Sequence, residues 1–508
     1  MNRRERYEQA ARGIARYLAM RQRPDGSFPG PDHYGVAFSL WLWSRLGRGF
    51  EPQRERALQR LYESPPPSHG EFNAYALLKC RDLVGRGRIA PLLRGLRFGR
   101  RHSANWVLLR SVCRAQTGAP LAVARGKFEA RAVLLRYARR GFISDRPGIR
   151  SFAYHAFCGA LLFDLWAHLR SRWAGRAAAQ AAQFLLPFVL PNGDTLYVGR
   201  GQQQIFGYGA LIYLLEAAAC VTGRDEFQAK AEGVLSYLLS YQRPDGSFPL
   251  VLREDEPAEP WSPEPRPGWY GYNRYADYLP FLGCCLVQAA QAQSVGAWSA
   301  ARPGSLRESV SVASHPAFRV WKHSRYTAVL ALPGGASTND LAFPYVCVDG
   351  VSLFPCYGAE GEVTPEALPL PYGVLTNGRP YVFRERLRYR LTESGLAGDS
   401  PLVHHDRSFT FDPGGFLCRD EIALRRRGAF AQLVSANFLF RNLRALPDGG
   451  FETSYRGVKA HLRLVPVGQM HPPTAASATG LLVPLRQQWR AGTPVPAAVS
   501  SELHVRWA

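Results

Sequence analysis

No two cysteines in this chain are spaced as CxxC, and the nine present are an odd number. Both facts argue against a disulfide framework or a zinc site. Cys80, Cys113, Cys158, Cys220, Cys284 and Cys285 instead lie inside apolar helical runs, as small buried hydrophobes of a reducing compartment do. Long apolar runs are also missing: none reaches the roughly 18 residues that a membrane span requires. The opening Met1-Asn2-Arg3-Arg4-Glu5-Arg6-Tyr7-Glu8 turns directly into an amphipathic helix, without the apolar segment of a secretory signal. The expected location is therefore the cytoplasm. No helix-turn-helix, zinc-finger or RNP-like pattern occurs, so no nucleic-acid partner is expected. Acid is scarce as well. Forty acidic residues face 63 Lys and Arg, for a formal charge of +23.

What remains is a foldable chain. An apolar fraction of 46% with 12% aromatics excludes a mainly disordered protein. Its 508 residues exceed what one core usually organises, so two domains are expected. The positive charge permits a polyanionic partner, although Arg is dispersed, with clusters at 94–101, 136–150 and 425–427. Biased codon usage would scatter Arg in the same way.

Two segments are near copies: Gln22-Arg23-Pro24-Asp25-Gly26-Ser27-Phe28-Pro29 and Gln242-Arg243-Pro244-Asp245-Gly246-Ser247-Phe248-Pro249. Weaker turns recur between them at roughly fifty residues, as in repeat architectures. They are Ser68-His69-Gly70, Arg101-His102-Ser103, Gly141 to Asp145 and Pro191-Asn192-Gly193-Asp194. Most turns follow an amphipathic stretch and precede a more apolar one: 34–46, 72–83, 104–115, 152–169, 205–219 and 275–293. Half-solvated helices alternating with nearly all-apolar ones imply outer and inner layers. Six such hairpins predict an (α/α)6 toroid over residues 1–300, with a stacked solenoid as the alternative. From Ser294 to Pro316 small residues, Pro and Gly mark a linker. Beyond it, short strand-like segments between Gly-rich turns predict an antiparallel β-sandwich over 301–508.

The starts of the inner helices converge on one mouth in such a toroid. They offer His33 and Tyr34; Glu71, Asn73 and Tyr75; His102, Asn105 and Trp106; Tyr154 and His155; Arg200, Gln203 and Tyr208; then Tyr270, Tyr272, Asn273, Tyr275 and Asp277. Aromatic rims suit sugar rings, and helix N-termini favour anions. Each residue alone has a structural explanation as a cap or a core tyrosine.

A toroid followed by an antiparallel β domain resembles the heparinase II/III-like and alginate-lyase-like polysaccharide lyases. The segments Arg407-Ser408-Phe409-Thr410-Phe411 and Gly415 to Glu421 resemble that family's β domain. The resemblance implies metal-independent β-elimination on a uronate glycan, with no cofactor. Asn105 and Arg200 would hold the carboxylate, His155 would assist or act as base, and Tyr208, one hairpin after His155, would supply acid or both acid and base. Gln203, Tyr272, Asn273, Tyr275, Trp106 and Tyr154 would bind the substrate. The family's β-domain His-x-His-x-Asp segment has only Gly335 to Asp340 as counterpart, which contains no His. Two readings of His404 and His405 stand: substitutes for that histidine from another loop or, the simpler and favoured one, exposed loop residues.

Two rivals remain. A glycoside hydrolase on the same toroid would need facing carboxylates, drawn from Glu71, Asp145, Asp194 and Asp277. A non-catalytic glycan-binding protein of polysaccharide assembly or export would need only the basic cavity. Pro-Asp-Gly-Ser-Phe also resembles a terpene-cyclase turn, but no Asp-rich acid motif accompanies it.

Overall fold

The computed structural model describes residues 2–253, 261, 274–292, 315–334, 341–356, 365, 368–473, 475–477, 480–489 and 496–508. The 294–316 linker expectation, the domain boundary near 300, the Gly335 to Asp340 segment and Tyr270, Tyr272 and Asn273 fall wholly or largely outside them.

Among the described residues twelve α-helices build the N-terminal part. The first six are α1 (Arg3–Arg21), α2 (Gly35–Leu46), α3 (Glu51–Glu63), α4 (Gly70–Val84), α5 (Arg86–Gly95) and α6 (Ala104–Thr117). The next six are α7 (Pro120–Tyr137), α8 (Phe152–Leu169), α9 (Arg172–Leu185), α10 (Ile205–Thr222), α11 (Asp225–Leu239) and α12 (Tyr275–Ala292). Each even-numbered helix packs on the next, and α12 packs back on α2, so the inner ring is closed. The odd-numbered helices form the outer layer, with α1 laid against α12. Apolarity explains the division. In α8, α10 and α12 nearly every residue is buried, whereas α3 buries only Ala57, Leu58 and Leu61. Among the described residues α10 is the one helix long and apolar enough to cross a membrane, and here it is an inner stave of the ring.

The duplicated turn is what closes the ring. Gly26 and Gly246 both adopt left-handed backbone, with φ of 81° and 87°. A Cβ on Gly26 would lie 2.3 Å from the Arg56 carbonyl of α3, and one on Gly246 2.5 Å from the Gly13 carbonyl of α1. Each turn therefore seats its glycine on the backbone of the next outer helix. The side chains repeat the logic. Gln22 donates to the carbonyls of Gly26 and Gln53, and Gln242 donates to those of Gly246 and Ala10. Asp25 and Asp245 each accept the N–H of the serine two residues on, an Asx-type turn. In the third copy Asn192 does this job, accepting from the Asp194 N–H at 3.0 Å. Asp194 is thereby freed to point inward.

The C-terminal part is antiparallel throughout. A four-stranded sheet runs Phe318–Lys322, Tyr326–Ala331, Leu341–Val348 and Val351–Ser352. An eight-stranded sheet places Ala498–Trp507 between Val458–Val465 and Gly415–Leu424, with Val403–Asp412 beyond. A third sheet centres on Phe430–Phe440 and Gly480–Trp489. The result is a β-sandwich joined to the toroid. Leu341–Val348 is buried at every residue, as expected for a strand covered on both faces. Val403–Asp412 and Val458–Val465 alternate instead. One hydrophobic cluster continues from the toroid into the sandwich, and Phe318 packs against Phe142, Phe152, Phe184 and Phe188.

Several expectations change here. Residues 381–389 read in sequence as a single strand-like segment, but Pro380–Val382 and Arg388–Leu391 are separated by a helical turn, Phe383–Arg386. The reading of His404 and His405 as exposed loop residues is corrected, because both lie in Val403–Asp412 and His405 is fully buried. Its Nε2–H donates to Asp420 at 2.9 Å, and the Tyr389 hydroxyl lies 2.8 Å from Nδ1. Buried Arg407 donates to both Asp420 oxygens, at 2.6 and 2.8 Å, and to the carbonyls of Ala342 and Pro369. All nine cysteines are free and eight are buried.

Candidate active site at the toroid mouth

A cavity of about 310 Å³ opens where the inner helices begin. The third residue of four of them reaches it: Phe72 of α4, Trp106 of α6, Tyr154 of α8 and Asp277 of α12. Asn105, Arg101, Arg146, Arg200, Tyr278 and the histidines His33 and His69 complete its polar wall. The Arg101 guanidinium lies 4.6 Å from the Trp106 ring centroid, and that of Arg200 lies 4.8 Å from Tyr154, both cation–π distances. Asn105 accepts the Ser103 hydroxyl on Oδ1 at 2.8 Å, leaving its amide N–H groups without a partner among the described residues.

Asp277 crosses from α12 to cap α2. Its Oδ1 accepts the N–H groups of His33, Tyr34 and Gly35 at 2.8, 2.8 and 2.9 Å, satisfying donors that a helix start leaves open. Burial still outweighs these bonds and raises its carboxyl to about 7. The rings of His33 and His69 stack at 4.2 Å. Burial, with His33 and Arg101 nearby, lowers His69 to about 4, and burial beside Arg274 and Arg101 also lowers His33. Both rings are therefore neutral at pH 7, and the fixed positive charge of the mouth is arginine. Behind Arg200 stands Asp145, fully buried, 3.7 Å from Nη1, with neither oxygen hydrogen-bonded.

The loop that carries Arg200 is stitched down on both sides. Gly199 pairs with Ser151, whose hydroxyl donates to the Arg200 carbonyl at 2.6 Å. Gln203, at φ 53°, is followed by Gln204 pairing with Val251. This loop is preorganised before any ligand arrives.

Of the residues expected from sequence, Asn105, Trp106, Tyr154 and Arg200 meet in this cavity. The rest do not. His155 is fully buried; its Nδ1 accepts the Ile143 N–H and its Nε2–H donates to the Ala181 carbonyl, both at 2.9 Å. Burial lowers it to about 4. With both nitrogens spent on backbone it holds α8 to α9 rather than facing substrate. Tyr208 is fully buried and donates to Asp194 Oδ1 at 2.6 Å, which together with burial raises its hydroxyl well above the ordinary range. Tyr275 donates to the Phe248 carbonyl at 2.6 Å and packs edge-on to Trp261. Gln203 lines a separate cleft. Tyr272 and Asn273 lie outside the described residues.

Further residues from the inner-helix starts are also structural. Glu71 pairs with Arg110, Asn73 donates to the His33 carbonyl, and Tyr75 joins Asp164, Lys79 and Tyr213 below the cavity. His69, Arg146 and Tyr278 were not singled out as candidates. His69 sits in the turn before α4, and Tyr278 directly follows Asp277 in α12, so the inner-helix starts were the sequence signal for both. Among the described residues no group of three His, Cys, Asp or Glu is placed to hold a metal ion.

No protein-family model matches the sequence, and no curated protein does. Solved structures do resemble it. A heparan sulfate lyase from Pedobacter heparinus is 12% identical over 98% of this chain and 83% of its own, with a TM-score of 0.33. A heparinase III is 14% identical over 92% and 77%, at 0.35. A family 88 glycosyl hydrolase from Bacteroides vulgatus is 10% identical over 56% and 99%, at 0.42.

Proposed function

We propose that this chain is a carbohydrate-active enzyme that cleaves an acidic, uronate-containing glycan by β-elimination in the toroid mouth. The observation that carries the reading is Arg200 lying over Tyr154, beside Asn105, in a cavity walled by arginine and aromatic rings. The C5 proton of a uronate is weakly acidic because the adjacent carboxylate resists further negative charge. A lyase must neutralise that carboxylate, take the proton and protonate the departing oxygen.

Arg200 and the free amide of Asn105 supply the first requirement. Tyr154 suits the other two. Its hydroxyl has no hydrogen-bond partner among the described residues, in contrast to Tyr208 and Tyr275, and the Arg200 guanidinium lies over its ring. Tyr154 removes the C5 proton, the electron pair becomes the C4–C5 double bond, the C4–O bond breaks, and the same hydroxyl returns the proton to the leaving oxygen. Trp106 and Tyr34 offer faces for neighbouring sugar rings.

One observation favours a second reading. Asp277, raised to about 7, keeps a substantial protonated fraction, about half, at neutral pH, as the acid of a hydrolase or hydratase requires. The test is incubation with a panel of uronate polysaccharides, following both reducing ends and the ultraviolet absorbance of the unsaturated product. Absorbance that Tyr154→Phe abolishes is expected. Reducing ends without absorbance, lost in Asp277→Asn, would establish hydrolysis. Binding with neither signal would leave a glycan-binding protein.

A further inference from the structure

We propose that the cleft between α11 and the β domain is a second ligand site, which takes a sugar-sized polyol bearing an anionic group. This cleft has a volume of about 270 Å³ and shares no lining residue with the mouth. Its walls combine Gln203 from the loop before α10, Tyr241 just after α11, Tyr345, and Arg441, Tyr455 and Arg456 of the sandwich. None of the lining residues is acidic.

Two unsatisfied groups define the ligand. Gln203 is 2% exposed, and its Nε2 donates to Asp194 Oδ2 at 3.0 Å and to the Tyr345 hydroxyl at 2.8 Å. Those bonds fix the amide orientation and leave Oε1 buried without a donor. Arg441 lies 4.2 Å from the Tyr455 ring centroid, with its buried Nε likewise unpartnered. A buried acceptor left open calls for an O–H donor, and a buried guanidinium N–H calls for an anionic acceptor. A polyol acid supplies both. Asp194, the carboxylate that Gln203 contacts, is already occupied by Tyr208, Gln203, Tyr345 and Ser352.

The backbone supports a built site. Arg456 occupies the first left-handed position of the hairpin between Phe451–Tyr455 and Val458–Val465, at φ 47°, where Gly, Asn or Asp would be relaxed. From there its guanidinium lies 4.8 Å from the Tyr241 centroid and 5.7 Å from that of Tyr455. An arginine held in left-handed backbone within cation–π distance of two tyrosines is positioned to meet an anionic group. The inference does not depend on the chemistry proposed for the mouth.

Calorimetric titration of the full chain tests it, in an Asn105→Ala/Arg200→Gln background that disables the mouth. The probes are glucuronate, glucose 6-sulfate, glucose and inorganic phosphate. A saturable site for glucuronate or glucose 6-sulfate is expected, and the preferred one identifies carboxylate or sulfate as the group recognised. Glucose should bind at least about tenfold more weakly. Arg441→Met, which retains the stem on Tyr455, and Arg456→Gly, which relaxes the turn and so should fold at least as well, should each weaken binding by about tenfold or more. Unchanged affinity in both variants, or no saturable binding of either sugar acid, would overturn the proposal. Phosphate bound as tightly as the sugar acids would overturn its polyol half.

Discussion

Asp420 in the sandwich and Asp277 at the toroid mouth are both buried carboxylates, each about 1% exposed or less, yet they are treated in opposite ways. Asp420 receives Arg407 on both oxygens and His405 on one, and is held down at about 2 despite its burial. Asp277 receives three backbone N–H groups, all on one oxygen, and rises to about 7. Asp194, at the joint between domains, is a third case, saturated by hydroxyls and an amide with no cation. A carboxylate whose bonding capacity is filled holds elements together. One left half-filled, in a cavity with unpartnered donors, is poised for chemistry.

Breaking the saturated pair should have the largest effect. Arg407→Met strands Asp420 in the core and should cost about 3–5 kcal/mol, read as a fall in the denaturant midpoint. Asp420 lies below its ordinary value, so its contribution is complete above about 3.8 and is lost as pH falls toward 2. The variant should therefore lack that part of the acid dependence. A loss below about 1 kcal/mol would mean the sandwich does not depend on this pair.

At the mouth the expected loss is in rate and not in stability. Tyr154→Phe should lower turnover by about 10²–10³-fold, or about 2.7–4 kcal/mol of transition-state stabilisation, with an unchanged melting temperature. A destabilised protein with normal turnover per folded molecule would place Tyr154 with the structural tyrosines instead. Gly246→Ala probes a site that is purely architectural. Left-handed strain and the contact with the Gly13 carbonyl together should cost about 2–4 kcal/mol, with turnover per folded molecule preserved. If Gly246→Ala proves neutral in a melt, the duplicated turn does not close the ring.

How far these differences could be read in sequence depends on the kind of signal. The Pro-Asp-Gly turns are local and their spacing is regular, so the toroid and its mouth were legible from them. The assignment of Tyr208 and His155 to the site was not, because one residue along a helix turns a side chain by about 100°. Phe72, Trp106 and Tyr154 are third residues and reach the mouth; Asn73, His155 and Tyr208 are fourth residues and are engaged elsewhere. That step is smaller than the precision with which a sequence marks a helix start. In the sandwich the difficulty was polarity. Val403, His405, Arg407 and Phe409 form one buried face, but two of the four are polar, so the alternation looked like a loop. Their partner Asp420 lies on the neighbouring strand, where periodicity cannot point to it.

The smallest expected effect separates a surface charge from a buried neutral ring. His404 is 32% exposed and bridges Asp399 and Asp406, each at 2.7 Å, and these bonds raise it above 6.5. A raised histidine contributes stability that is complete below its unfolded value and is lost as pH rises through its folded one. His155 has the opposite sign. Lowered to about 4, it makes the fold less stable as pH falls below 6.5, because the unfolded chain takes up a proton that the folded chain refuses. His404→Gln should therefore cost a few tenths to about 1 kcal/mol below pH 6.5, little above the folded value, and less again in high salt, since the pair is half in solvent. Urea titrations of both proteins across pH 5 to 9 would show it. A difference that grows with rising pH would mean His404 is held neutral, and that the sandwich surface treats its histidine as the core treats His155.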